Sequence, residues 1–178
     1  MSDATRETRI YLTGPEKNFA DAFWQENALE KFDQVIGVHP GSDHAIKLWT
    51  AAQYAKLADD LVEKGCCVLI FQGPKEARTA VTMHAQMKQK ALLVPLLKLR
   101  EYASLVQKCS LLITNDGGAL HIGAAVQTKL LGIFVNRPLP EFWFPYPERS
   151  GAMQLIEDQN HQVSVSEALH AACQLLQT

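Results

Sequence analysis

The sequence predicts an α/β domain built on a parallel sheet with helices on both faces. Short apolar runs alternate with longer stretches of helical periodicity from about residue 35 onward, which is the pattern of repeated βαβ units. The runs are almost continuously apolar, as expected of strands covered on both sides, where an exposed antiparallel strand would alternate. A length of 178 residues suits one compact domain, since domains cluster at about 100 to 200 residues.

The expected strands are residues 35–38, 67–71, 92–94, 111–114 and 130–135. Between the first two, Thr50 can cap a helix whose apolar residues Tyr54, Leu57, Ala58, Leu61 and Val62 fall on one side, and Gly65 ends it. This makes one complete crossover. Residues 75–90 and 99–108 give two further helices, the second with Leu99, Tyr102, Ala103, Leu105 and Val106 on one face. A short helix is expected at 118–126 and a closing one at 166–176. Pro138, Pro140, Pro145 and Pro147, mixed with Phe142, Trp143, Phe144 and Tyr146, make 136–149 an irregular loop. Ahead of the first strand, residues 10–12 read as a short strand or an arm, and 19–32 as a helix packing Phe19, Phe23 and Trp24. The division expected is an N-terminal arm and helix at 1–34 and a ligand-binding domain at 35–178, together one compact unit.

Composition excludes several classes of function. The charge is −2, so no broad basic surface exists for nucleic acid or anionic lipid, and an anionic ligand must be met locally. Cys66, Cys67, Cys109 and Cys173 form neither a C-x-x-C pair nor a disulfide lattice and read as reduced, mostly buried thiols. Six scattered histidines without partners at ligand spacing argue against a metal. The first twenty residues hold no apolar run of signal-peptide length, and no later stretch reaches the roughly 18 apolar residues that cross a bilayer. A cytoplasmic location follows as the expectation.

In an open parallel sheet, ligands bind beyond the carboxyl ends of the strands, where loops and positive helix ends converge. Three polar, glycine-bearing loops leave strands at that edge. The first, residues 39–49, offers Gly41 for close backbone approach, Ser42, and the mobile charge of Lys47, a combination suited to a diphosphate. In the second, 72–76, Glu76 can accept from ribose hydroxyls or stand as a solvated first-turn helix acid. The third, 114–121, runs from a strand through Asp116, Gly117 and Gly118 into a helix bearing His121, and its free N–H groups favour a phosphate. Asp116 can also cap that helix, a role compatible with binding, and Trp49 can be a core residue alone. The aromatics at 142–146 can form a sugar platform, a partner surface or plain loop packing.

Together these loops resemble family nine glycosyltransferases, the ADP-heptose:lipopolysaccharide heptosyltransferases, over roughly residues 35 to 140. The resemblance rests on His39-Pro40-Gly41 followed by Lys47-x-Trp49, on Gly73-x-x-Glu76, and on Asn115-Asp116-x-Gly118-x-x-His121 followed by Gly123, Ala124 and Ala125. It implies a Rossmann-like three-layer αβα sandwich, the C-terminal, nucleotide-sugar-binding half of a GT-B architecture. It further implies that Lys47 meets the phosphates, that Glu76 lies near the ribose or base, and that the loop from Asp116 to His121 contacts the diphosphate and sugar. The implied ligand is ADP-heptose or a similar nucleotide sugar, with no cofactor and no metal. The implied role is in lipopolysaccharide core synthesis. The general base would come from an N-terminal acceptor-binding domain that this chain lacks, and any membrane association would run through that partner domain.

Three positions depart from the family pattern. Gly117 stands where the family usually carries Ser or Thr, Asp43 and His44 where small or hydroxylated residues are usual, and Thr50 where proline often follows the tryptophan. A non-catalytic module that kept the fold and binds a nucleotide sugar, or serves only interaction, is the competing expectation.

Overall fold

The computed structural model describes residues 8–41, 49–74, 77–135, 151–158 and 160–177. Six strands, β1 (Val35–His39), β2 (Cys67–Ile70), β3 (Leu92–Leu93), β4 (Leu111–Asn115), β5 (Leu130–Val135) and β6 (Ala152–Glu157), form one sheet in the order β3-β2-β1-β4-β5-β6. Every neighbouring pair is parallel. The order is that of a doubly wound sheet: the chain moves outward from β1 to β3, then crosses back to start again at β4. β1 and β4 are adjacent, with His39 opposite Thr114 in the register, so their connections leave for opposite faces at that point.

One face is covered by α2 (Ala51–Glu63), α3 (Ala77–Gln86) and α6 (Val165–Gln177). Tyr54, Leu57, Leu61, Met83, Ala168 and Ala172 there pack on Ile36, Val38, Ile70, Ile113, Leu131 and Ile133. The other face is covered by α1 (Gly14–Glu26), α4 (Leu99–Lys108) and α5 (Gly118–Ala125). Trp24, Tyr102, Leu105, Val106 and Leu120 pack there on Val35, Leu69, Phe71, Leu112, Leu130 and Phe134. The result is the expected three-layer sandwich.

Local signals account for several helix ends. Thr50 and Gln53 form a reciprocal cap on α2, Gln53 N donating to Thr50 Oγ1 at 3.2 Å and Thr50 N to Gln53 Oε1 at 3.1 Å. Gly65 follows with a φ of +90°, a conformation glycine adopts without strain. Asp59, buried on α2, accepts from Lys88 N at 3.0 Å and Gln89 N at 2.8 Å and so fixes the connection after α3. The four cysteines are unpaired, Cys66 and Cys109 buried and the other two half-buried. Burial raises the pKa of Cys66, Cys67 and Cys109 above the ordinary thiol value.

The structure corrects the sequence reading at four elements. The first helix starts at Gly14, five residues earlier than expected, because Thr13 and Glu16 form a capping box around Pro15. It stops at Glu26, and Ala28, at φ +52°, turns the chain into a short 3-10 turn at Leu29–Lys31. Residues 10–12 are an arm, held by Ile10 N donating to Ala125 O at 2.9 Å and by Arg100, which pairs with Glu16 and donates from Nη2 to Tyr11 O at 2.7 Å. The third helix ends at Gln86, short of the expected residue 90, and β3 is only two residues long. The sixth strand, Ala152–Glu157, was not expected at all. The expected loop at 136–149 lies outside the described residues.

One glycine shows how tightly α5 is set against the sheet. A Cβ on Gly123 would stand 2.6 Å from Leu130 Cδ2 and 2.8 Å from Leu112 Cδ2, and both leucines are buried, so neither can step aside. Helix propensity favours alanine there by about 1 kcal/mol, but overpacking a filled core costs about 1 to 3 kcal/mol. Gly123→Ala is therefore expected to lower stability by on the order of 1 kcal/mol, a fall of roughly 2 to 4 °C in the thermal midpoint. A rise in the midpoint by calorimetry would show that propensity wins and that the contact is loose.

Candidate functional site

The carboxyl ends of β1 and β4 meet at the switch point of the sheet. The β1 side continues through buried Pro40 and Gly41 toward α2, and the β4 side through Asn115, Asp116 and Gly117 into α5. A crevice beyond such a pair of strands is where doubly wound sheets hold their ligands.

Asn115 joins the two sides. Its Nδ2 donates to Pro40 O at 2.9 Å, and its Oδ1 accepts from Trp49 N at 3.1 Å. Asn115 is fully buried and Trp49 is 1% exposed. The indole lies edge-on to Tyr54, ring centroids 4.9 Å apart, and its Nε1 donates to Val163 O at 3.0 Å. Val163 N in turn donates to Glu157 Oε2, at the end of β6, at 3.2 Å. Of the two readings open for Trp49, the structure takes the core one: the tryptophan anchors the loop and has no surface left for a ligand.

On the other side, the residue at the N-cap position of α5 is Gly117, and Asp116 stands one residue before it. Asp116 is 4% exposed, buried where the strand gives way to the helix. Gly117 has a φ of 177°, extended backbone open to any residue, and a Cβ on Gly117 or Gly118 would meet nothing within 4 Å. Neither glycine is there for internal packing or for an unusual backbone. The space above them is open and faces the amides and positive end of α5, which suits an anion.

His39 lies on the α4 side of β1, its ring 5.7 Å from that of Tyr102. Burial lowers its pKa to about 4, so the imidazole is neutral at physiological pH and adds no positive charge to the crevice. Among the described residues, the positive potential here comes from backbone amides.

The structure therefore brings Gly41, Asp116, Gly117 and Gly118 together at the switch point. His121 stands exposed on the opening turns of α5, and its imidazole makes no hydrogen bond or ion pair among the described residues. Ser42, Lys47 and Glu76 lie outside the described residues. Sequence reasoning missed Asn115 as a functional position, although it stands inside the motif that was read, and it missed Glu157 because β6 was missed. No group of three or more potential metal ligands occurs among the described residues, and no described helix is long and apolar enough to cross a membrane.

Sheet order, layers and the crevice at the β1–β4 switch point define a Rossmann-like α/β domain, one half of a GT-B architecture. Within that class the chain belongs to glycosyltransferase family 9 (heptosyltransferase), whose profile matches residues 6–172. It is 27% identical over 150 residues to lipooligosaccharide heptosyltransferase 2 of Haemophilus influenzae, covering 76% of this chain and 43% of that protein. Its fold matches the crystal structure of a family 9 glycosyl transferase from Veillonella parvula with a TM-score of 0.86 at 24% identity, over 95% of this chain and 53% of the other. It also matches the ADP-heptose lps heptosyltransferase II of E. coli with a TM-score of 0.77 at 20% identity, again over 95% and 53%. The chain thus spans about half the length of the relatives it matches.

Proposed function

We propose that this chain is the donor-binding half of a heptosyltransferase-like enzyme of lipopolysaccharide core synthesis, working in the cytoplasm on ADP-heptose or a similar nucleotide sugar. The observation that carries this reading is the open space over Gly117 and Gly118, faced by the opening turn of α5 and bordered by Gly41 at the β1–β4 switch point. In this reading the diphosphate sits there, with Ser42 and Lys47 of the first loop closing on it and Glu76, beyond β2, taking the ribose. His121 reaches a phosphate or sugar oxygen from the exposed side of α5. The family assignment supports the same ligand class.

The chemistry offered is leaving-group stabilisation. As the glycosidic bond to the diphosphate breaks, negative charge grows on the phosphate oxygens, and preorganised amides with one lysine ammonium hold it better in the transition state than in the ground state. The base that deprotonates the acceptor hydroxyl belongs to a second, acceptor-binding domain. Residues 35–178 form the nucleotide-sugar unit in this account, and the 1–34 arm and helix are its N-terminal extension.

Titration calorimetry of the purified chain with ADP, and with UDP for comparison, tests this directly. ADP is expected to bind, and Lys47→Ala to weaken it at least tenfold, a loss of about 1.4 kcal/mol. Binding of neither nucleotide would overturn the donor-site reading.

A further inference from the structure

We propose that Asn115 is a positioning residue: it holds both ends of the 40–49 connection against the mouth of the crevice and thereby sets the geometry in which the donor diphosphate is met. The proposal rests on the donor-site reading above. Asn115 closes β4, and its side chain reaches across the switch point to two backbone groups from opposite ends of that connection, Pro40 O at 2.9 Å and Trp49 N at 3.1 Å. A neutral amide is suited to this place because it carries a donor and an acceptor on one short stem. Aspartate would set an oxygen against the Pro40 carbonyl, and leucine of similar shape would satisfy neither group.

The tie does not end at Trp49. The Trp49 Nε1 bond to Val163 O and the Val163 N bond to Glu157 Oε2 carry it to the carboxyl end of β6. Three connections on the ligand-binding edge of the sheet are thus joined through two buried side chains, Asn115 and Trp49. Asn115 itself is buried beneath the crevice, so its effect on a ligand passes through the backbone it holds. Without it the two ends of the connection separate more freely, and a ligand must supply the ordering that the staple now supplies in advance.

The test compares Asn115→Leu and Asn115→Ala with Gly123→Ala, whose effect falls on packing beneath α5. Each is titrated with ADP well below its own thermal midpoint, so that only folded protein is read. Both Asn115 variants are expected to bind ADP at least tenfold more weakly, while Gly123→Ala, with its own lowered midpoint, keeps the affinity of the unsubstituted chain. Asn115 variants that lose thermal stability yet bind ADP normally would reduce the residue to a structural one and overturn the proposal. If neither variant folds, amide exchange on the unsubstituted chain decides. Trp49 N–H is expected to exchange as slowly as the amides of β4, and exchange at the rate of an open loop amide would remove the staple. Failure of the unsubstituted chain to bind ADP sinks the donor-site reading, whereas binding that survives in both Asn115 variants sinks only the positioning role.

Discussion

Trp49→Ala is expected to lower the stability of the chain by about 3 to 5 kcal/mol, the range for deleting a large aromatic from a filled core. The indole is 1% exposed, packs edge-on against Tyr54 and donates to Val163 O at 3.0 Å. Removing it leaves a cavity between α2 and the sheet and weakens the satisfaction of the Val163 carbonyl, which among the described residues then keeps the longer bond from Gln53 Nε2 at 3.4 Å. Domains of this size are stable by about 5 to 15 kcal/mol, so the variant stands near the limit of folding. Urea unfolding read by circular dichroism measures the loss. Trp49→Phe, which keeps an aromatic ring and gives up the hydrogen bond, should fall between the two. A cost under about 1 kcal/mol for the alanine variant would contradict the core role of Trp49.

The second large effect is on acid stability. Burial holds the His39 pKa at about 4, against 6.5 for an exposed imidazole. Above pH 6.5 the ring is neutral in both folded and unfolded chains and adds no pH dependence. Between 6.5 and 4 the unfolded chain takes up a proton that the native chain refuses, so stability falls as pH falls, by about 1.4 kcal/mol per unit. The total is on the order of 3 kcal/mol by pH 4, below which the native state also protonates and the loss levels off. His39→Leu removes this titration while other groups titrate in both proteins. The stability of the unsubstituted chain relative to the variant should therefore decline steadily from pH 6.5 to 4.5. Parallel unfolding curves for the two across that range would show that the imidazole is not held neutral.

Most of the architecture was legible from apolar runs alone. Val35–His39, Leu111–Asn115 and Leu130–Val135 are buried at every position, and such strands announce themselves without any knowledge of their neighbours. Ala152–Glu157 is different. It lies at the edge of the sheet, all six residues are half-buried, and Gln154 and Glu157 interrupt its apolar residues. Its identity as a strand comes from pairing with β5, which local pattern does not encode. The start of the first helix was written in Thr13-Gly14-Pro15-Glu16 and was passed over in favour of the apolar residues further on.

The candidate site divides in the same way. Gly41, Asp116, Gly117 and Gly118 were readable because glycine-bearing loops after strands are local signals. That they face one another depends on the order of the sheet. The role of Asn115 depends on partners 75 and 66 residues away in the chain, and no local pattern could have assigned it.

The adjacency of β1 and β4 also governs how the chain is assembled during synthesis. β1 can pair with β2 as soon as residue 70 has left the ribosome, but its other edge stays open until β4 is made. That edge belongs to Val35-Ile36-Gly37-Val38, a run without a single charge, and an unpaired apolar edge is a template for association with other nascent chains. Closing it means bringing together residues separated by most of the length of two βαβ units, a slow step for a sheet in which every partner is non-local. A central strand, buried at every position of the finished fold, thus keeps one edge open until β4 is made.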